Sequence, residues 1–211
     1  MKNNIITELR MKRIAIFLLS VTTAILAFSQ NIKSHSKQRP LYMDLIGLER
    51  CNAKKDLICI EIFRRKHSKI VNYNTSVLAL ILDRKGKWRG EIIRYYYDIS
   101  DSINIKNINK EKIEFSESWD KTWETIQKKK YLKMPNPSSF VRNNSQIDVF
   151  FGDGGFYVVY YYDRFGHHKI DCTEPQFYLD FCTDHGIPCE PIIRFLEYMK
   201  LMDSEFSFDI P

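Results

Sequence analysis

The run Val77-Leu-Ala-Leu-Ile-Leu82 places the strongest constraint on how this chain folds. Side chains of a strand alternate between its two faces, so a strand apolar at every position needs cover on both sides. Such a run at a solvated edge would expose one whole face; it belongs inside a sheet. Asp83-Arg-Lys-Gly-Lys87 follows, and Gly86 supplies the positive φ that a short hairpin needs. Trp88 to Tyr97 then returns as the hairpin partner, with Ile92 and Tyr96 on one face and Ile93, Tyr95 and Tyr97 on the other.

Other strand signals surround this pair. Leu57-Ile-Cys-Ile-Glu-Ile-Phe63 is rich in β-branched and aromatic residues and runs into the basic cluster Arg64-Arg-Lys-His-Ser-Lys69. Ile103 to Phe115 alternates weakly and reads as an edge strand. Later, Ile147 to Phe151 and Phe156 to Tyr162 read as strands joined by the turn Gly152-Asp-Gly-Gly155. Phe165-Gly-His167 turns the chain into a short strand ending near Cys172.

Two helices are expected. Ser118 suits an N-cap, and Trp119, Trp123 and Ile126 recur at helical spacing to form one apolar stripe. Asp120 and Glu124 lie early and Lys128 to Lys130 late, which matches the helix dipole, and Met134-Pro-Asn-Pro137 stops the helix. A closing helix starts at Cys189-Glu-Pro191, with Ile192, Ile193, Leu196 and Met199 as its stripe. Consecutive hairpins with two separated helices indicate an α+β fold: a mainly antiparallel sheet with two packed helices.

The start of the chain reads as an export signal. Lys12 and Arg13 precede an apolar stretch from Ile14 to Phe28, interrupted by Ser20, Thr22 and Thr23. A basic region, a short apolar core and small residues at its end make a secretory signal peptide. The stretch is short for a spanning helix, which needs about 20 apolar residues. Ala27 and Ser29 place cleavage before Gln30, so residues 1–29 form the signal, and residues 1–10 are an over-extended start or a long basic region. Residues 30–40 are polar and form a flexible spacer; residues 41–211 form one domain.

Charge argues in the same direction. Lys2, Arg10, Lys12 and Arg13 against Glu8 put half of the net +6 in the signal segment. The remainder is too dilute to argue for nucleic acid. Arg64–Lys69, Arg84–Arg89 and Lys128–Lys130 offer a basic patch for an anionic partner, or simply solvated strand ends and turns.

The five cysteines after the signal are Cys51, Cys59, Cys172, Cys182 and Cys189. In an oxidising compartment they pair, with at least one left over. Cys51 and Cys59 flank the polar stretch Asn52–Asp56 and can face each other across a hairpin. The other three are candidates for a second bridge or for small buried hydrophobes. Cys182-Thr-Asp-His185-Gly-Ile-Pro-Cys189 has ligand-like spacing, but it lacks a paired Cys-x-x-Cys, and the disulfide and packing readings outweigh zinc.

No Gly-x-Ser-x-Gly elbow and no phosphate loop is present, so the sequence assigns no catalytic, cofactor-binding or metal residue. Tyrosines are the most unusual feature. Tyr95 and Tyr97 share one strand face, as do Tyr157 and Tyr161, and an exposed aromatic face of this kind stacks on sugar rings or anchors a protein. The bland alternative is cross-strand packing with hydroxyls at the rim.

Three features taken together resemble a known group. They are the signal ending Ala27-Phe28-Ser29-Gln30, the Trp119/Trp123 helix running into Leu132-Lys-Met-Pro135, and Gly152-Asp-Gly-Gly155 before an aromatic strand and a C-terminal helix. The chain resembles small exported proteins of Bacteroidota to which no activity is assigned. The resemblance spans most of the chain after the signal and implies export in a Gram-negative anaerobe or relative; it brings no catalytic residue. The expectation is therefore an exported protein, periplasmic or at the cell surface, that binds a protein or glycan partner. It touches a membrane only through the signal segment if that segment is retained. A small exported hydrolase is the alternative.

Overall fold

The computed structural model describes residues 45–52, 54–68, 72–98, 104–147 and 155–208. The signal segment, the spacer, most of the expected strand at 147–151 and of the turn at 152–155 lie outside the described residues. The elements run β1 (Asp56–Ser68), β2 (Asn72–Asp83), β3 (Trp88–Asp98), β4 (Asn104–Lys112), α1 (Trp119–Lys128), a 3-10 turn (Tyr131–Lys133), α2 (Pro137–Asn143), β5 (Phe156–Asp163), β6 (Gly166–Thr173), α3 (Pro175–Asp184) and α4 (Glu190–Phe206).

The sheet is antiparallel throughout, in the order β4-β3-β2-β1-β5-β6. Val77–Leu82 lies inside it as expected, paired with β1 on one side and β3 on the other. Leu82 opposes Trp88, and the Asp83 Oδ1 atom accepts the Lys85 and Lys87 N–H groups at 2.8 and 2.9 Å to close the hairpin. Gly86 has the expected positive φ of 77°. Gly90 is dictated by a close approach: an added Cβ would lie 2.8 Å from the Ala79 carbonyl oxygen. β4 is an edge strand as expected, rich in lysine and asparagine, which discourages pairing with another chain.

Helices cover one face. Ile60, Ile62, Leu78, Leu80, Ile92, Val159 and Ile170 point toward Trp119 and Ile126 of α1 and Phe195, Tyr198 and Met202 of α4. Trp88 meets Trp119 and Trp123 edge-on, with ring centroids 5.2 and 5.0 Å apart. The opposite face carries Phe63, Val77, Ala79, Ile93, Tyr95 and Val158, packed with Ile46 and Leu48. Both faces of the central strands are thus buried, as a strand apolar at every position requires.

The fold class is α+β, with the two expected helices in place as α1 and α4. Two shorter helices accompany them. Pro137 and Pro175 each sit at the first helical position, where the missing N–H leaves no intrahelical bond unmade. Pro137 therefore does more than stop α1, which already ends at Lys128; it opens α2, capped by Asn136 accepting the Ser138 N–H at 3.0 Å. α2, α3 and the start of α4 build a small core of their own from Val141, Tyr178, Cys182 and Ile192. In α4 the buried stripe is Ile192, Phe195, Tyr198, Met199, Met202 and Phe206, and Ile193 faces outward at 38% exposure. Ser118 precedes α1 but makes no side-chain cap, because its hydroxyl turns to Glu205 of α4. Among the described residues no helix is long and apolar enough to cross a membrane.

Candidate ligand-binding cleft

At one end of the sheet, four pieces of chain fail to close on one another and leave a cleft of about 490 Å³. Leu57 and Ile58 enter it from the start of β1, and Trp123, Ile126 and Gln127 from the second half of α1. Leu132 and Lys133 of the 3-10 turn form another wall, and Tyr161 and the β5–β6 turn close the far side. The volume falls within the range of about 300–1,000 Å³ typical of small-molecule sites.

The β5–β6 turn is rigid for a local reason. Asp163 opposes Gly166 across the hairpin, with Arg164 and Phe165 as the two loop residues. The Asp163 Oδ1 atom accepts the Phe165 and Gly166 N–H groups at 2.8 and 3.1 Å, and Oδ2 accepts the Tyr161 hydroxyl at 2.9 Å. One carboxylate thus fixes both the turn and the phenol that lines the cleft. Burial, reinforced by the Asp163 charge, pushes the Tyr161 phenol far above its ordinary pKa, so it stays a neutral donor. Phe165 is left 74% exposed at the rim, with the Arg164 guanidinium 4.6 Å from its ring centroid.

The polar rim is cationic. Lys130, Lys133 and Arg164 line the cleft, and none of them has a carboxylate partner among the described residues. A second cleft of about 240 Å³ shares Lys133, Tyr161, Asp163 and Phe165 and extends the site to His167 and His168. Among the described residues the larger cleft is lined by no serine, threonine, cysteine or histidine. It offers apolar surface and three cations, the Tyr161 hydroxyl being already donated to Asp163.

The four tyrosines singled out in the sequence do not converge. Tyr95 is 3% exposed on the sheet face away from the helices. Tyr157 is half-buried on the helix face, with Arg64 5.2 Å from its ring centroid and Phe195 edge-on at 5.9 Å. Tyr161 lines the cleft, and the Tyr97 side chain lies outside the described residues. Tyr95 and Tyr161 lie on opposite faces of one sheet, so no single aromatic platform forms from them.

The cysteines separate into one bridge and three thiols. Cys51 and Cys59 are joined, with Cα atoms 6.1 Å apart, as their placement around the Asn52–Asp56 turn suggested. Cys172, Cys182 and Cys189 are free and buried, Cys172 in the main core and the other two in the small helical core. No second bridge joins them here. Asp56 approaches the bridged sulfurs, but its carboxylate is held by Arg89 at 3.0 Å and by the Asn52 N–H at 2.6 Å, and sulfurs in a disulfide are not thiolate ligands. His185 donates from Nδ1 to the Phe181 carbonyl at 2.8 Å and stacks on that ring, so it does not join the nearby thiols in a cluster.

The basic segments are likewise dispersed. Arg64 pairs with Asp203 at 3.1 Å, Arg89 with Glu49 and Asp56, and Lys129 with Glu197 at 3.4 Å.

Sequence reasoning missed the cleft because its walls are scattered: Leu57, Trp123, Leu132 and Phe165 read singly as core or turn residues. The usable signal was Phe165, a large apolar side chain in a two-residue turn with no strand face to occupy. Comparison with protein-family models, with curated proteins and with solved structures finds no match to this chain.

Proposed function

We propose that this is an exported binding domain that holds a small, largely apolar ligand in the cleft between α1 and the β5–β6 turn. The observation that carries the reading is a concave apolar surface formed by Leu57, Trp123, Ile126, Leu132 and Phe165, with only a few polar groups converging on it. The exposed Phe165 and the half-buried Trp123 supply the broad, rigid contact area that recognition sites favour. Binding is preferred to hydrolysis because the Asp163 carboxylate is engaged by Tyr161, Phe165 and Gly166, and among the described residues no serine, threonine, cysteine or histidine lines the cleft. Export is supported by the basic, apolar and small-residue order of residues 12–29 and by the Cys51–Cys59 bridge.

The neutral fluorescent probe N-phenyl-1-naphthylamine tests the cleft. The expected result is enhanced fluorescence with the protein, lost in Phe165→Ser, whose parent side chain is exposed and outside the core. Equal enhancement in both proteins, or none in either, would show that the cleft does not take apolar ligands. Intact mass of the protein from its native host tests export: Gln30 is the expected first residue, and a membrane-bound species that keeps residues 11–29 contradicts it.

A further inference from the structure

We infer that the ligand of this cleft is an anionic amphiphile, with its apolar body against Trp123, Leu132 and Phe165 and one negative group held by Lys130, Lys133 and Arg164. The inference rests on the cleft being the ligand site and adds the chemistry of the ligand.

Charge complementarity is the first argument. Three cations line one small cleft without a carboxylate partner among the described residues. Asp163, the one acidic residue lining it among the described residues, already accepts from Tyr161, Phe165 and Gly166. An apolar wall on one side of these cations lowers the local dielectric and strengthens their pull on an anion. The Tyr161 hydroxyl is committed to Asp163, so the cations are the groups left to receive a charged head.

The backbone at Lys130 explains how two of the cations are placed. Lys130 follows α1 in the left-handed conformation, φ 53° and ψ 37°, a position usually given to glycine. The surrounding structure enforces this strain. Its N–H donates to the Gln127 carbonyl at 3.1 Å, and its own carbonyl accepts the Lys133 N–H at 3.0 Å. Arg194 of α4 bonds the Lys129 and Lys130 carbonyls at 2.6 and 3.4 Å. This tight turn is what brings Lys130 and Lys133 to the same mouth.

A single headgroup fits this arrangement: three cations line one cleft of about 490 Å³, whereas Arg64, Arg89 and Lys129 outside it are each paired with a carboxylate.

The test is calorimetric titration of the intact exported chain with decanoate, decanol and decyltrimethylammonium, each below its aggregation concentration. Decanoate is expected to bind at least about tenfold more tightly than decanol, since one charge-assisted contact is worth about a decade in affinity, and its affinity should fall with added salt. Lys130→Gly, which relieves the strained backbone, and Lys133→Gln should each weaken decanoate by about tenfold and leave decanol unchanged. Equal binding of decanoate and decanol in all three proteins overturns the anion assignment and leaves the cleft reading standing. Tighter binding of the cationic amphiphile overturns it too. If no amphiphile binds and N-phenyl-1-naphthylamine is also refused, both readings fall together.

Discussion

The Glu205 carboxylate near the end of α4 accepts the Thr122 hydroxyl of α1 at 3.0 Å, and the Ser116 and Ser118 hydroxyls converge on the same carboxylate. The two helices that cover the sheet are thereby tied at the point where α1 begins. This explains why Ser118 does not cap its own helix: its hydroxyl hydrogen goes to a charged acceptor on another element. Glu205→Ala should cost about 1–2 kcal/mol, the lower part of the range for hydrogen bonds to charged groups, because Ser116 and Ser118 are exposed. Glu205→Gln keeps an acceptor and should cost about half as much. Equal urea midpoints for Glu205→Ala and the parent would show that the tie is dispensable.

Asp56 is fully buried, and its charge is balanced by Arg89. Truncating Arg89 leaves that carboxylate held by the Asn52 N–H beside the bridge. Arg89→Met should therefore cost about 1–3 kcal/mol, the range for a buried polar group that loses a partner, since Asp56 is buried while Arg89 is 37% exposed. Asp56→Asn in the same chain should recover part of the loss, since a neutral amide no longer needs the cation. A double variant less stable than Arg89→Met would contradict this account.

Leu80 is fully buried between Ile60 of β1 and Gly90 of β3. Leu80→Asp would bury an unpartnered charge and should unfold a domain of ordinary stability, a loss of several kcal/mol. Lys85→Asp changes an exposed turn position whose structural bond is its backbone N–H to Asp83, and should shift stability by about 0.5 kcal/mol or less. Similar urea midpoints for the two variants would be incompatible with the central position of β2.

These contrasts show which parts of the molecule the residues announce by themselves. Val77–Leu82 is apolar on both faces, and Gly86 carries the conformation its hairpin needs, so the central pair is readable without tertiary information. The Cys51–Cys59 bridge is readable for a similar reason, because a short polar turn separates the two residues. α3 is hard to read because its buried residues after Pro175 are only Tyr178 and Cys182, too few for a stripe. α2 hides behind Pro137, which marks a helix start and a helix stop equally well. The cleft is least legible of all. Trp123 belongs to the same stripe as Trp119 and Ile126, and nothing in that periodicity distinguishes the fully buried Trp119 from Trp123 at the opening.

Lys130→Gly has a predicted effect on stability as well as on binding. A non-glycine residue in the left-handed conformation costs about 1–2 kcal/mol, and glycine removes that cost. Against this, glycine makes the unfolded chain more flexible by about 0.4–1 kcal/mol. The first effect is larger, so the variant should be more stable by about 0.5–1 kcal/mol in urea. A less stable variant would mean that the Lys130 side chain contributes to packing.

The last prediction concerns the buried thiols and alkaline pH. Burial, aided by the neighbouring Asp171 charge, pushes the Cys172 thiol up to about 12. Burial and the adjacent Cys189 thiol push Cys182 up to about 11. In the unfolded chain both titrate near the ordinary value of about 8.5. A raised folded-state pKa contributes stability that is fully present below the unfolded value and is lost as pH rises through the folded one. Stability should therefore hold to about pH 8.5 and then fall toward pH 11–12. Tyr161 and Tyr198, whose phenols are also pushed upward by burial, contribute to the same decline. Cys172→Ala isolates the thiol's share: it should be less stable than the parent at pH 7.5, because a buried sulfur is lost, yet the gap between the two should narrow at pH 10. The same burial should make the free cysteines slow to alkylate in the native protein and fast once it is unfolded. A gap that stays constant with pH, or Cys172 alkylated as quickly in the native as in the unfolded protein, would show that its sulfur is not held in the core.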